Sequence, residues 1–434
     1  MRRIKSATAQ PILPNDSSSG IVGYFHGGDP GAAIPTTQLN ADWFNGVQGE
    51  LISIASELGE AESQADLTQC VRAIKNMSNN NLVINGAFNI WQRLTNTGQT
   101  TSYSATRKLI TPDFGAAPGY VYTADRWVMR NTITGFGVTV SPSLSVPSVT
   151  SAKHSFQASI LLENTTVGVA APGQYACLTQ HIEGMNMADL VERQSVYSFW
   201  VNSTVTGKFA VAFSNSGAGT SPNNTPDRSA VAEFNITTAN VWTRVSIQLP
   251  AMPTTGNWNY KKGIGLSISH VLTAGDNFKT TGGAWTVGNY LASTGCVDFC
   301  ATVGAKMAIT GCKLTPGKTL GDYVQPGLND ELGLCRRYYG TSNTYDIFDN
   351  QSYSTISTTM GDTTSGLTYY RPYFFSTQMR VTPTIYAVQG GSAGFPASPG
   401  TISAITPTGF TESRICNAST AGYFYVHYFA DSEL

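Results

Sequence analysis

From Asn79 to about Asp330 the chain runs in short alternating segments separated by clusters of Gly, Asn, Ser and Thr. "VYSFWVNS", "KFAVAFSNS", "TRVSIQLPAM", "IGLSISHVL" and "KMAITGCKL" each place apolar residues at every second position, as Val245, Ile247 and Leu249 do. That period buries one side of each strand. Strands this short, closed by turn residues at such regular intervals, imply an antiparallel sandwich or jelly roll. Composition agrees: charged residues make up only 12% of the chain against 43 Gly and 20 Pro, so the surface is turn-rich, neutral and dominated by hydroxyls and amides. A chain of 434 residues also has room for more than one core.

The two ends differ from this middle. Residues 1–38 hold "SSSGIVGYFHGGDPGAAIPTT", a stretch with no periodic apolar pattern, which builds no core and reads as an extended arm laid on another protein. Its anchors would be Ile21, Val22, Tyr24 and Phe25. Residues 39–78 turn helical: Trp43, Val47, Leu51, Ile54 and Leu58 recur along one face, Gly59 stops the run, and Asp66 caps a second stripe of Leu67, Val71, Ile74 and Met77. Helices this short need a partner: each other, another subunit or a docking platform. "LNDELGLCRRYYG", Leu328 to Gly340, marks a further boundary. Beyond it the chain is strand-like again but has no Trp, while 11 of the 20 Tyr fall between Tyr338 and Tyr428, so the second β region has a different surface chemistry. The expected fold is mainly β: an N-terminal arm (1–38), a helical neck (39–78), a jelly-roll sandwich (79–327) and a smaller C-terminal β sandwich (328–434).

Several near-motifs lack their chemistry. Gly311 and the Gly317-Lys318-Thr319 triplet approach a phosphate loop, but five residues separate the glycines and one of them, Pro316, has no N–H to give. Gly321, Pro326 and Gly327 then prevent the helix such a loop must open, so the stretch reads as a strand followed by a turn. "GGSAG", Gly390 to Gly394, formally fits a nucleophile elbow, yet "FPASPG" follows it and the segment reads as a loop. A glycan-cleaving site would need two carboxylates roughly 5–10 Å apart across a cleft, and no local pair stands out; the expectation is a protein that is not an enzyme. Seven Cys without a C-x2-C and five scattered His read as buried reduced thiols and no metal site. A net charge of −1 without a basic stripe argues against nucleic acid and anionic membranes. No run approaches the roughly 18 apolar residues of a membrane span, and no apolar segment follows "MRRIKS", so synthesis in the cytosol is expected.

"NLVINGAFNIWQRLT" followed by "YTADRWVMR" resembles the opening of a jelly-roll domain of tail-fibre and other virion proteins of tailed bacteriophages, a fold similar to carbohydrate-binding modules. The likeness continues through "LTQHIEGMNMADL", "VYSFWVNSTVTGKFAVAF", "TTGNWN", "GAWTVGNYLASTG" and "ITGCKLTPGKT", and closes with "ELGLCRRYYG". "GYFHGGDPGAAIPTTQLNADWFNGVQGELISI" is similar to the virion-attachment segment of phage tail fibres. The resemblance covers nearly all of residues 21–340, whereas 341–434 match only loosely, through "QMRVTPTIYAV". It implies a tail fibre or receptor-binding protein, a homotrimer, held in the virion tail by its N-terminus and adsorbing to host polysaccharide or lipopolysaccharide through its C-terminal β domains. A head or neck fibre with a structural role, and a glycan depolymerase tailspike, are the alternatives. No cofactor is expected; a structural calcium would be in keeping with carbohydrate-binding jelly rolls, but no residue cluster compels it.

The candidate contacts follow. Tyr24, Phe25, Trp43 and Phe44 would attach to the virion. Trp91, Trp127 and Trp200 each read as lying within an alternating strand and as core, whereas Trp258 and Trp285 lie among Gly, Thr and Asn, where a ring can serve as a platform for a sugar. In the C-terminal region Tyr345, Tyr353, Tyr369 and Tyr370 have polar, turn-rich surroundings and are the first glycan candidates, with Asp346 and Asp349 as acceptors.

Overall fold

The computed structural model describes residues 29–33, 41–56, 63, 65–77, 81–93, 119–217, 225–318, 321–342, 356–360, 363–392, 395, 400–420 and 422–434. They form two compact units. One comprises Asn81–Lys318 with Gln325–Leu434, and the other comprises the described residues of Met1–Asn80 and Thr319–Val324.

In the smaller unit, helices α1 (Ala41–Ser56) and α2 (Gln69–Met77) pack together. Ile52, Ala55 and Ala73 are buried, and the Cys70 thiol donates to the Leu51 carbonyl. Asp66 accepts from the Thr68 amide and hydroxyl and pairs with Arg72, which together hold its carboxyl down at about 2. Trp43, Val47, Val71 and Ile74, expected on the packed stripes, stay exposed. The buried seam instead runs through Ile52, Ala55 and Ala73.

The larger unit opens with twelve strands: β1 (Gly119–Tyr122), β2 (Trp127–Asn131), β3 (Val138–Ser143), β4 (Ser159–Asn164), β5 (Tyr175–Glu183), β6 (Ser195–Ser203), β7 (Gly207–Ser214), β8 (Arg228–Ile236), β9 (Thr243–Leu249), β10 (Ile264–Ala274), β11 (Trp285–Val287) and β12 (Lys306–Pro316). They form a seven-stranded sheet, β1-β2-β5-β10-β7-β8-β11, and a five-stranded sheet, β3-β4-β12-β6-β9, with every pairing antiparallel. The chain crosses repeatedly between the two sheets, as a jelly roll requires. Trp127, Phe199, Phe209, Phe213, Ile268 and Leu314 fill the space between them. The edge strand β9 alternates strictly, with Val245, Ile247 and Leu249 buried. The central strand β10 is buried at every position, because Phe278, Tyr290, Leu291 and Ala292 pack against residues on the outer side of its sheet.

The phosphate-loop likeness resolves here. Gly311 lies inside β12 at a register shift between Thr310 and Lys313, with φ +66°. A Cβ there would meet the Phe156 ring at 2.7 Å, so the position needs glycine for a bulge rather than for a ligand. Gly317 follows in the turn, while Lys313 between them is buried. The opening segment docks on this strand. The Asn81 side chain bridges β12 by donating to the Cys312 carbonyl and accepting from the Leu314 amide, both at 3.0 Å.

Helix α3 (Val149–Ala152) is a single turn, and α4 (Leu328–Arg336) leads out of the jelly roll with Glu331, Leu332 and Cys335 buried. Seven further strands follow: β13 (Tyr339–Thr341), β14 (Ile356–Met360), β15 (Thr368–Phe374), β16 (Thr384–Ser392), β17 (Thr401–Thr406), β18 (Gly409–Ile415) and β19 (Gly422–Asp431). One sheet centres on β19, with β16 pairing along it and β13 and β14 pairing with its two halves; the other has the order β15-β18-β17. Tyr373, Met379 and Phe410 meet Val426, Tyr428 and Ala430 between them. Gly390–Ser392, expected in a loop, continue β16 opposite Tyr423–Tyr425, since main-chain pairing needs no side chain. All seven cysteines are free thiols, five of them buried.

Candidate functional site

Period-2 alternation sorts the three-stranded sheet into two unlike faces. Tyr369, Arg371 and Tyr373 of β15 point inward with Phe410, Glu412 and Arg414 of β18. Arg414 Nε donates to Glu412 Oε1 at 2.8 Å, the Tyr373 hydroxyl donates to Oε2 at 2.9 Å, and both charged groups are almost wholly buried. Burial pushes the Tyr373 hydroxyl above its ordinary range, with the Glu412 charge adding to it. The Arg371 guanidinium lies over the Tyr373 ring. The charges of this sheet are therefore on its inner side.

The outer face carries Tyr370, Pro372 and Phe374 along β15, with Tyr370 67% and Phe374 78% exposed. Register sets Ser413 beside Tyr370 and Thr411 beside Pro372, with Thr401 and Ser403 of β17 one strand further on. Thr368 and Ile415 close one end. A rail of three rings thus runs beside two rows of hydroxyls, and none of these outward positions is charged. Pro372, which has no amide to donate, is tolerated because β15 is an edge strand. Flat apolar rings beside small hydroxyls can stack on the C–H face of a sugar and exchange hydrogen bonds with its edge. Fully covering one such ring contributes about 1.5–3 kcal/mol before the costs of binding, so a single copy would hold its ligand weakly.

The structure places the sequence candidates unequally. Tyr369 and Tyr370 are neighbours on opposite faces: Tyr369 packs edge-on against Phe395 and accepts from the Thr364 amide, and only Tyr370 looks outward. Tyr345, Tyr353, Asp346 and Asp349 lie outside the described residues, as do Tyr24 and Phe25. Trp258 and Trp285 come together, ring centroids 5.4 Å apart and edge to face. Their indole N–H groups donate to the Thr255 and Pro250 carbonyls, and both rings rest on the main core while keeping part of their surface open. Asp227 braces the same loop by accepting from Asn257 and Asn215, contacts that hold its carboxyl below the usual range against desolvation. Trp43 and Phe44 sit edge to face on α1, about half exposed. Sequence reasoning missed Phe374 and Pro372; the alternation in "TYYRPYF" was the available signal.

A cavity of about 90 Å³ lined by Val271, Lys279, Cys296 and Asp298 opens at the jelly roll. It is far below the roughly 300 Å³ of an ordinary ligand pocket. Among the described residues no cluster of His, Cys, Asp or Glu could hold a metal ion, and no helix is long and apolar enough to cross a membrane.

No protein-family model and no curated protein matches the chain. Among solved structures, it is similar to the enzymatically active domain of tailspike protein 4 of bacteriophage CBA120, at 18% identity and a TM-score of 0.26, over 44% of this chain and 19% of that one. It is also similar to a family 11 carbohydrate-binding module from Clostridium thermocellum in complex with a mixed-linked tetrasaccharide, at 12% identity and a TM-score of 0.23, over 49% and 97%. The xylan-binding domain from Paenibacillus barcinonensis gives 10% identity and a TM-score of 0.21, over 48% and 99%. At these scores the class, a mainly antiparallel β-sandwich protein, rests on the strand order of this chain itself.

Proposed function

We propose that this protein is a receptor-binding fibre of a bacteriophage tail, which adsorbs to neutral host surface polysaccharide through the outer face of β15, β18 and β17 and catalyses no reaction. The observation that carries the reading is the pairing of a ring rail with uncharged hydroxyl rows on a sheet whose charges are turned inward. Trp258 and Trp285 would offer a second, smaller contact at a loop of the jelly roll. The exposed Trp43 and Phe44 on α1 support attachment of the N-terminal region to the virion, with a homotrimer multiplying the weak contacts of each copy.

The test is binding of the purified chain to an array of neutral bacterial polysaccharides. Tyr370→Ala with Phe374→Ala should lower binding at least tenfold, while the fold is retained. Absence of binding by the parent chain would favour a structural fibre of the head or neck, and release of reducing ends from the array would favour a depolymerase.

A further inference from the structure

Where the jelly roll meets the C-terminal β domain, Ile84 and Ile264 pack with Tyr338 and Leu434, and beside this apolar contact a cluster of buried charges gathers around residues 431–434. Glu433 receives Arg93 Nη1 at 3.1 Å and also Arg126 Nη1. Arg126 is almost wholly buried and adopts φ +71°, a left-handed backbone that a non-glycine residue rarely takes. Its Nη2 donates to the His181 carbonyl at 2.6 Å, and its guanidinium lies 3.5 Å from the Tyr338 ring centroid. Arg93 stacks in the same way over Tyr339 and also faces Asp125 and Asp431. From the other side, Arg380 donates to the carbonyls of Ser432, Glu433 and Lys262. Glu183 of β5 takes Arg337 at 3.0 and 2.8 Å and the Tyr338 hydroxyl at 2.7 Å, and the Tyr122 hydroxyl donates to the Leu434 carbonyl.

Jelly-roll Arg93 and Arg126 meet C-terminal Glu433, and jelly-roll Glu183 meets C-terminal Arg337, so neither side is satisfied alone. Pulling the domains apart would expose Glu433 and leave Arg93 and Arg126 without their main counter-charge, which makes separation costly. We propose that residues 431–434 act as a clamp that makes the jelly roll and the C-terminal β domain one cooperative body, fixing the direction in which the β15 ring face points. Strands that share a clamp of this kind open together; strands on a flexible tether open separately.

Segment-resolved hydrogen exchange on the full chain tests this without any ligand, so the outcome is independent of the glycan reading. In the parent chain the β2 and β19 amides should exchange through one common opening, with protection equal within about tenfold. Glu433→Ala should speed β19 at least 100-fold relative to β2. Should that variant not fold, Arg337→Ala, on the rim of the same contact, should give about a tenfold separation. Glu163→Ala, which breaks only the surface pair with Lys306, should give none. The clamp is overturned if β19 of the parent chain already exchanges over 100-fold faster than β2. It is equally overturned if the variant that folds leaves their ratio unchanged.

Discussion

The jelly roll and the C-terminal β domain both bury aromatic rings, but they differ in what a sheet leaves in solvent. Trp127 is fully buried between two wide sheets, with its indole N–H on the Asn85 carbonyl and Phe88 against its ring. Tyr370 and Phe374 stand in solvent on a sheet whose interior instead holds the Glu412–Arg414 pair. Size gives part of the reason: a domain of two narrow sheets has little interior, and a larger share of its rings must stay outside. The choice of which residues go inside is the informative part. Sheets usually bury rings and expose charges; this one buries its charges beside Tyr373 and Phe410 and leaves Tyr370 and Phe374 in solvent.

The comparison can be broken at the core first. Trp127→Ala should cost about 3–5 kcal/mol in chemical denaturation, the largest effect anticipated. A loss under 1 kcal/mol would mean that the jelly roll does not depend on its buried rings. Glu412→Ala should cost about 3 kcal/mol by removing the carboxylate that the buried Arg414 Nε and the Tyr373 hydroxyl donate to. If stability is unchanged, the inward charges of the small domain are incidental. Gly311→Ala, which must accommodate both a positive φ and the Phe156 ring, should cost about 2 kcal/mol by the same assay.

Acidity sharpens the comparison further. Burial raises the Asp125 and Glu331 carboxyls to about 7, opposed at Asp125 by Arg93 and at Glu331 by the Asn85 amide. The folded state therefore holds protons that the unfolded chain has already lost, and stability should fall as pH rises through 7, by about 1 kcal/mol per group between pH 6 and 8. Burial depresses His181 and His270, so stability should also fall below the ordinary histidine range, where the unfolded chain takes up protons that the folded one refuses. The denaturation midpoint should fall between pH 6 and 8, and Asp125→Asn should reduce that fall. A midpoint that rises steadily to pH 8 would contradict the assignment. Smallest of all is the stability effect at the outer face: Tyr370→Ala should stay within about 0.5 kcal/mol of the parent.

Much of this was legible in the sequence where side-chain period and partner were local. "TRVSIQL" announces β9 because one wet face enforces alternation, and "YFYVHYF" splits into buried Phe424 and Val426 against exposed Tyr423 for the same reason. The outer face was only half legible. Tyr369 and Tyr370 sit in identical polar surroundings, and only the register of β15 against β18 decides which one turns outward. The clamp was not legible: Arg126 and Glu433 are 307 residues apart, and nothing near either residue names its partner. Helical period placed α1 and α2, but it could not tell that Ile52, Ala55 and Ala73 rather than Trp43 and Val47 would form their seam.

Two ring pairs compared on one polysaccharide array decide whether the β15 face binds glycan. The account predicts that Tyr370→Ala with Phe374→Ala abolishes most binding, at least tenfold, while Trp258→Ala with Trp285→Ala lowers it severalfold at most. Binding that survives loss of the β15 rings, or that depends on the tryptophan pair alone, would contradict it.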